Sequence, residues 1–494
     1  MIGLFPAADV RTAEEPLLAA LPEGTLMQRA ATGLATVSLR LLGSAYGRRV
    51  TLLVGTGNNG GDALFAGAVL ARRGVRVTAV LLGPDRVPAA GLTALRRAGG
   101  RVVPAGAPEV ATLVGRADLV LDGMLGIGGR GELRGAAVEL ARAAAGGAGI
   151  TVAVDVPSGI DADTGAVEGA AFPAQHTVTF GAVKPGLLVG EGRGYAGEVH
   201  LVDIGLGPHL PPAAAWQLTD ADVAVRLPAP SAGDDKYSQG VVGIVAGSAT
   251  YPGAGVLCTG AALRSRPGLV RYAGTAAEGV RASWPEAIVT DGRPAEAGRV
   301  QAWVVGPGMG TDGAARSVLA EVLATDLPVV VDADALTMAA AEPELLRSRP
   351  SGSAARTVLT PHDREFARFG FEVGADRIAA ARRLAARLGV VVLLKGDATV
   401  VADPDGTAFV NATGTSFLAT AGTGDVLSGI LGAMLATGLP ALEAAAVAAH
   451  LHGRTGQLAA ERGPFVAGDL VRRLPDAIRR VRGAPAEGLG HSGG

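Results

Sequence analysis

Short β-branched apolar runs, each followed by an Ala-rich stretch, recur along this chain in two series. In the first, the runs at Val50–Val54, Val75–Leu82, Leu119–Leu121, Ile150–Val156 and Val178–Phe180 are continuous rather than alternating. Strands of that kind are buried on both faces, and the helical stretches between them supply the cover, so a parallel sheet between two helical layers is expected. A Pro-rich stretch at 207–233 interrupts the pattern. It resumes at Val241–Val245, Ala302–Val305, Val329–Val331, Val358–Leu359 and Val390–Leu394, and ends in helical stretches at 424–436 and 442–460. At 494 residues the chain exceeds what one core usually holds. Two α/β domains are therefore expected, at 1–214 and 234–483, with a linker at 215–233 and a disordered tail at 484–494.

Composition narrows the classes of partner. A formal net charge of −2, with acidic and basic residues interspersed, leaves no electrostatic footprint for nucleic acid or an anionic membrane. No apolar stretch approaches the ~20 residues that span a bilayer, and the first residues lack the pattern of a secretory leader. A single cysteine, Cys258, rules out an internal disulfide and reads as a small apolar helix residue. The expectation is a cytoplasmic enzyme acting on a small molecule.

In open parallel sheets, ligands bind beyond the carboxyl ends of the strands. The first domain carries Val54-Gly-Thr-Gly-Asn-Asn-Gly-Gly-Asp-Ala63 at such a place, followed by a helix to about Arg73, where Gly74 stops it. Its glycines allow amides to converge on an anion at the helix N-terminus. The spacing is neither that of a dinucleotide-fold fingerprint nor that of a Walker loop. A purely structural reading makes it a turn, with Asp62 as the helix cap. Two further strand ends carry Asp122, and Asp155 with Ser158. Together with Asn59 these oxygens suit a hard cation, without thiolate or imidazole.

The segments GTGNNGGD, LDGMLGIG, VAVDVPSGIDADTG and TFGAVKPGLL, followed by GRGYAGEVHLVDIGL, resemble the NAD(P)H-hydrate epimerase domain over about residues 10–212. The resemblance implies a Rossmann-like three-layer α/β/α fold. It implies that Asn58, Asn59, Gly60, Gly61 and Asp62, with Gly126, Ile127, Gly128, Gly129, Arg130, Gly131 and Glu132, hold the dinucleotide, and that Asp155 also contacts it. It further implies that Asn59, Asp122 and Ser158 hold a potassium ion, and that Asp155 is the acid/base that interconverts R and S hydrates. Ala63 departs from the family's glycine, a change expected to be tolerated just inside a helix.

In the second domain, Ala421-Gly-Thr-Gly-Asp-Val-Leu-Ser-Gly429 opens a long apolar helix, so the amides of Thr423 and Gly424 face outward at its positive end. With Lys395-Gly-Asp-Ala-Thr399, and with the segments from Asp234, around Gly310, through Leu336 and from Thr360, it resembles the ADP-dependent NAD(P)H-hydrate dehydratase branch of the ribokinase-like superfamily over about 234–480. The resemblance implies a ribokinase-like α/β/α fold and nucleotide binding by Lys395, Gly396, Asp397, Ala398, Thr399 and Gly424. Ala254, Gly308 or Gly310, His362 and Asp425 would face the hydrated cofactor. Asp425 would take a proton so that the substrate hydroxyl attacks the terminal phosphate of ADP, with Mg2+ bridging the phosphates. His450 and His452 read as packing or surface residues. Arg266, Pro267, Arg364 and Thr415–Leu418 depart from the family's pattern.

These expectations combine into repair of NADHX and NADPHX: epimerisation of the hydrates and ADP-driven dehydration of the S form, giving AMP and phosphate. The partners expected are these small molecules and further copies of the chain in a homo-oligomer. Two other readings compete: a sugar or hydroxymethylpyrimidine kinase, which would accumulate a phosphorylated product, and a binding module that keeps the fold without its chemistry.

Overall fold

The computed structural model describes residues 1–129, 131–228, 231–233, 235–265 and 267–483. Arg130, Arg266, the start of the second domain at Asp234 and the tail at 484–494 lie outside the described residues. The chain divides into one compact unit at Gly3–Ala215 and a second from Trp216 onward, which also takes in Met1 and Ile2.

After a short strand, β1 (Ile2–Leu4), the first unit contains β2 (Arg49–Val54), β3 (Arg76–Leu81), β4 (Arg101–Pro104), β5 (Leu119–Gly123), β6 (Ile150–Val154), β7 (His176–Phe180) and β8 (Glu198–Val202). They form a parallel sheet in the order β4-β3-β2-β5-β6-β7-β8. The five expected strands are present. β4 and β8 were not expected, because edge strands are half covered and carry charged residues that break the apolar run. The order reverses direction beside β2, the position where such sheets leave a crevice at their carboxyl edge. Helix Asn58–Arg72 starts at that crevice.

The helix lies close on the sheet because Gly123 ends β5 without a side chain. A Cβ there would meet the Ala63 methyl at 2.7 Å and the Asn59 carbonyl oxygen at 2.9 Å. Ala63 is fully buried inside this helix, in the conformation that any L-residue adopts, so its departure from glycine is accommodated. Asp62 does not cap the helix. It is the fifth helical residue, and Gly57 occupies the cap.

The second unit contains β9 (Ala215–Gln217), β10 (Val241–Val245), β11 (Leu269–Ala273), β12 (Ile288–Thr290), β13 (Ala302–Val305), β14 (Val329–Val331), β15 (Thr357–Leu359), β16 (Val391–Leu394), β17 (Thr399–Ala402) and β18 (Ala408–Asn411). Their order is β9-β18-β17-β16-β15-β14-β13-β10-β11-β12, antiparallel only along β16-β17-β18. Helix Thr423–Ala436 is apolar on almost every side and is buried from Val426 to its end, as a helix of that composition must be.

The linker expectation at 215–233 gives way in its first half. Ala215–Gln217 is a strand, and Asp220–Arg226 is a helix with a capping box at Thr219 and Asp222. Leu218, Val223 and Leu227 belong to the core of the second unit. The prolines on either side concealed this short amphipathic element, whose apolar face has only three members.

The contact at Gly123 yields a stability test. Gly123→Ala must push the helix Asn58–Arg72 off β5, and overpacking of this kind costs about 1–3 kcal/mol. In urea unfolding followed by circular dichroism, the transition of the first unit should move to lower denaturant while that of the second stays in place.

Candidate active sites

In the first unit, three strand ends bring the expected cation ligands together. The Asp122 carboxylate, fully buried at the end of β5, accepts hydrogen bonds from the Ser158 hydroxyl (2.7 Å), the Ser158 amide (2.8 Å) and the Met124 amide (3.2 Å). Asn59 Nδ2 donates to the carbonyls of Val154 (2.5 Å) and Leu125 (2.9 Å). Its Oδ1 faces Gly126, where a Cβ would lie 2.4 Å away. Burial raises the Asp122 carboxyl to about 6, against the opposing hydrogen bonds of Ser158 and Met124. Among the described residues no lysine or arginine acts on Asp122, so a cation beside it would relieve the cost of burying its charge.

Asp155 follows β6 with φ at +66°, an unusual conformation for a residue with a side chain. That turn aims its carboxylate at Lys184, whose ammonium donates at 2.5 Å; Thr179 and the Phe180 amide also donate to the same oxygen. Lys184 is 1% exposed, and it also donates to Thr179 Oγ1 and the Phe180 carbonyl. Two more carboxyls act in this space. Burial, then the charges of Asp155 and Glu14, push Asp62 well above the usual range. Burial and Asp155 likewise raise Glu14, with Lys184 and Arg11 opposing. Lys184 thus pairs with Asp155 in a space shared with two carboxyls whose proton affinity is raised.

Among the residues expected at the dinucleotide, Asn58 is exposed, whereas Asn59, Gly60, Gly61 and Asp62 are buried. The start of the 126–132 segment stands at the same crevice, through the Leu125 and Gly126 contacts with Asn59. Arg11 donates to the Ile127 carbonyl at 2.7 Å and places a cation at this loop. Glu132 lies 3.8 Å from Arg134 and packs against Gly169. Sequence reasoning missed Arg11, Glu14 and Lys184. Lys184 was inside a quoted motif, but only the fold shows that it meets Asp155.

In the second unit, Lys395 at the end of β16 pairs with Asp332 at the end of β14 (2.9 Å) and lies 3.6 Å from Glu365. Asp332 also accepts from Ser428 on the helix Thr423–Ala436 (2.7 Å). Burial alone would raise the Asp332 carboxyl, but Lys395 and these hydroxyl donors hold it below its usual value. The Lys395 side chain is half-buried, which alone would lower its ammonium, but Asp332 and Glu365 hold it above its usual value. A Cβ on Gly424 would lie 3.8 Å from Lys395 Nζ, which sets the lysine at the N-terminus of that helix.

Asp425 sits in the first turn of the same helix. Burial first, then the charges of Asp332 and Asp334, raise its carboxyl to about 7, while Lys395 opposes them. Ala254 and Gly308 meet closely, since a Cβ on Gly308 would be 2.9 Å from the Ala254 methyl, and the Gly310 amide donates to Asp334. These residues stand beside β13 and β10, where the strand order reverses.

A cleft of about 1010 Å³ opens over the helix N-terminus. Lys395, Gly396, Asp397, Thr399 and Gly424 line it, as expected, whereas Ala398 is buried beneath the turn and does not. His362 lines the same cleft, but its Nδ1 is committed to capping a short helix, where it accepts from the amides of Arg364 and Glu365. Arg364 and the departing residues Thr415, Ser416 and Leu418 also line it, so these changes alter the wall of the cleft. His452 is buried, in keeping with a packing role, and also forms part of that wall, while His450 is a packing residue, paired with Asp220 at 2.6 Å. Asp332, Glu365 and Arg377, which holds Asp363 and the Lys395 carbonyl, carried no sequence signal of their own.

Comparison with known proteins adds independent findings. A family model described as NAD(P)H-hydrate dehydratase matches residues 242–480, and one described as YjeF-related protein N-terminus matches residues 23–186. The bifunctional NAD(P)H-hydrate repair enzyme Nnr of Mycobacterium leprae is 50% identical over 488 residues, spanning 98% of this chain and 99% of its own. Its counterpart in Mycobacterium tuberculosis H37Rv is 51% identical over 447 residues, or 90% and 91% of the two chains. A solved ribokinase-like superfamily protein from Enterococcus faecalis V583 superposes with a TM-score of 0.50 at 26% identity, covering 55% of this chain and 98% of that one.

The Asp155–Lys184 pair makes a prediction about the first unit. Lys184→Met leaves a buried carboxylate unpaired and should cost about 3–5 kcal/mol in urea unfolding. Lys184→Met combined with Asp155→Asn should recover a large part of that loss, because the uncompensated charge is gone.

Proposed function

This chain belongs to the bifunctional NAD(P)H-hydrate repair enzymes, and from that premise we propose how its two sites divide the work. The first unit epimerises the R and S hydrates of NADH and NADPH, and the second dehydrates the S hydrate at the expense of ADP. The domains run over 3–215 and from 216 onward, in keeping with the two compact units.

The observation that carries the epimerase reading is the convergence of Asn59, Asp122, Ser158 and Asp155 at one crevice. Asn59, Asp122 and Ser158 would hold a potassium ion, which suits a buried carboxylate with carbonyl neighbours. When bound, the ion supplies local positive charge that orients substrate oxygens. Asp155, oriented by Lys184 and Thr179, moves the proton on the C6 hydroxyl. Residues 58–62 and 126–132 would cradle the dinucleotide at the helix N-terminus.

In the second unit, the dehydratase reading rests on Asp425, a carboxyl poised near neutrality at the N-terminus of a buried helix. Asp425 takes the proton of the C6 hydroxyl, and the freed oxygen attacks the terminal phosphate of ADP, releasing AMP. The ring nitrogen lone pair then expels inorganic phosphate from C6, and loss of a C5 proton restores the reduced nicotinamide. Lys395 and the amides of Thr423 and Gly424 stabilise the transferring phosphoryl group, the type of contribution that dominates such reactions. Mg2+ bound with the nucleotide would supply positive charge that neutralises the phosphates. His362, Gly308, Gly310 and Ala254 face the nicotinamide half.

Recovery of absorbance at 340 nm from a mixture of R and S hydrates tests the division. Wild type with ADP, Mg2+ and K+ should recover all of the reduced cofactor. Asp155→Asn should recover only the S fraction rapidly, and Asp425→Asn should lose about 10²–10⁴ of the rate, the usual worth of a general base. Phosphate should appear in step with recovery; accumulation of a phosphorylated product would instead indicate a kinase.

The pH dependence follows from the same carboxyl. Asp425 acts in its deprotonated form, so kcat/KM for the S hydrate should rise as pH increases through about 7 and level off above it. The low-pH limb should disappear in the residual activity of Asp425→Asn.

A further inference from the structure

His176 and His200, two of the chain's seven histidines, meet on the last two strands of the first unit. In the parallel register, His176 on β7 stands opposite Glu198 on the edge strand β8, and Val178 stands opposite His200. His200 and Glu198 are two residues apart and project to one face. His176 Nδ1 lies 3.1 Å from His200 Nε2 and 3.4 Å from Glu198 Oε2. Ligand atoms of all three side chains fall within 4.8 Å of one another.

We propose that His176, Glu198 and His200 form a binding site for a borderline transition-metal dication of the Zn2+ class, separate from both active sites. A tetrahedral Zn2+ with bonds of about 2.0–2.1 Å sets neighbouring donors about 3.3–3.4 Å apart. The two short separations bracket that spacing. Two imidazoles and one carboxylate select Zn2+, Co2+ or Ni2+ over Mg2+ or K+, which prefer oxygen ligands.

The backbone pre-arranges the donors. Gly197 adopts φ +60° where a Cβ would strike the Gln175 carbonyl at 2.1 Å, and the Glu198 amide donates to that carbonyl at 2.9 Å. The starts of β7 and β8 are thus fixed against each other. Glu198 is itself exposed, so its carboxylate is free to swing onto an ion and leave a fourth position for water. Burial, followed by the charges of His176 and Arg40, holds the His200 imidazole below its usual range, with Glu198 opposing. Arg40 is the cation that a bound ion must tolerate.

Its position indicates the role. His176 opens β7, whereas the Phe180 amide that donates to Asp155 is at its far end. A bound ion ties the edge strand β8 to β7 and takes no part in the chemistry at Asp155.

Titration of the metal-free full-length protein with Co2+, followed by its visible d–d absorption, and competition with Zn2+ test the proposal. Equimolar, saturable binding is expected, undisturbed by a hundredfold excess of Mg2+. His176→Asn and His200→Asn should each weaken binding at least tenfold, the double variant should abolish it, and His209→Asn should not change it. Melting of the metal-free variants checks that they fold. Glu198→Gln, at an exposed side chain that cannot compromise folding, should weaken binding severalfold. No saturable binding by wild type, or binding that survives the double histidine substitution, overturns the proposal.

Discussion

Each of the two sites depends on a lysine paired with a buried aspartate at the carboxyl edge of a parallel sheet. In the first unit Lys184 reaches Asp155 at 2.5 Å, and in the second Lys395 reaches Asp332 at 2.9 Å. A buried ion pair of this kind is a poor source of net stability, because desolvation consumes most of the Coulomb energy, but losing either partner is severe. What the pair contributes is a fixed charge pattern against which the remaining groups are tuned. The two non-glycine residues with positive φ among the described residues, Asp155 and Ala333, lie in or directly beside these pairs. Strain of this kind persists only where surrounding structure enforces it, and here the adjoining strands and helices do so.

The tuning has the same form in both units. A lysine-paired aspartate sits close to a second carboxyl whose proton affinity is raised by burial and like charge. Asp155 acts this way on Asp62 and Glu14, and Asp332 on Asp425. Proton transfer at an enzyme site is most effective when the group's affinity for the proton is close to the working pH, and Asp425 at about 7 meets that condition. The helix N-termini at Asn58 and Thr423 then add oriented amides where a dinucleotide or a nucleotide phosphate would lie. Chemistry and anion binding are thus held by the same few strand ends.

Much of this was visible in the one-dimensional pattern, for identifiable reasons. Continuous apolar runs such as Val241–Val245 and Val329–Val331 coincide with observed strands, because a strand buried on both faces has no position for a polar residue. Edge elements such as β8 and β12, and the short helix Asp220–Arg226, escaped notice because only part of each is buried and their periodicity is weak. Asn59, Asp122, Ser158 and Asp155 could be singled out since each stands at a strand end or in a Gly-rich turn. Lys184, Glu365 and His452 could not, because nothing local distinguishes a lysine that enters a core from one that covers a surface.

The order of residues along the chain, by itself, determined the number of domains, their α/β class, the strand ends at which chemistry would gather and the family to which the motifs belong. Tertiary structure alone decided which groups meet: that Lys184 closes on Asp155, that His452 forms part of the cleft over the helix Thr423–Ala436, that Ala398 lies under it, and that His176, Glu198 and His200 meet across β7 and β8. Local signals record what each residue prefers for its own backbone and burial. A pairing between side chains 29 or 63 residues apart, as in Asp155–Lys184 and Asp332–Lys395, depends on strand register and crossover geometry, and these exist only once the sheet has formed.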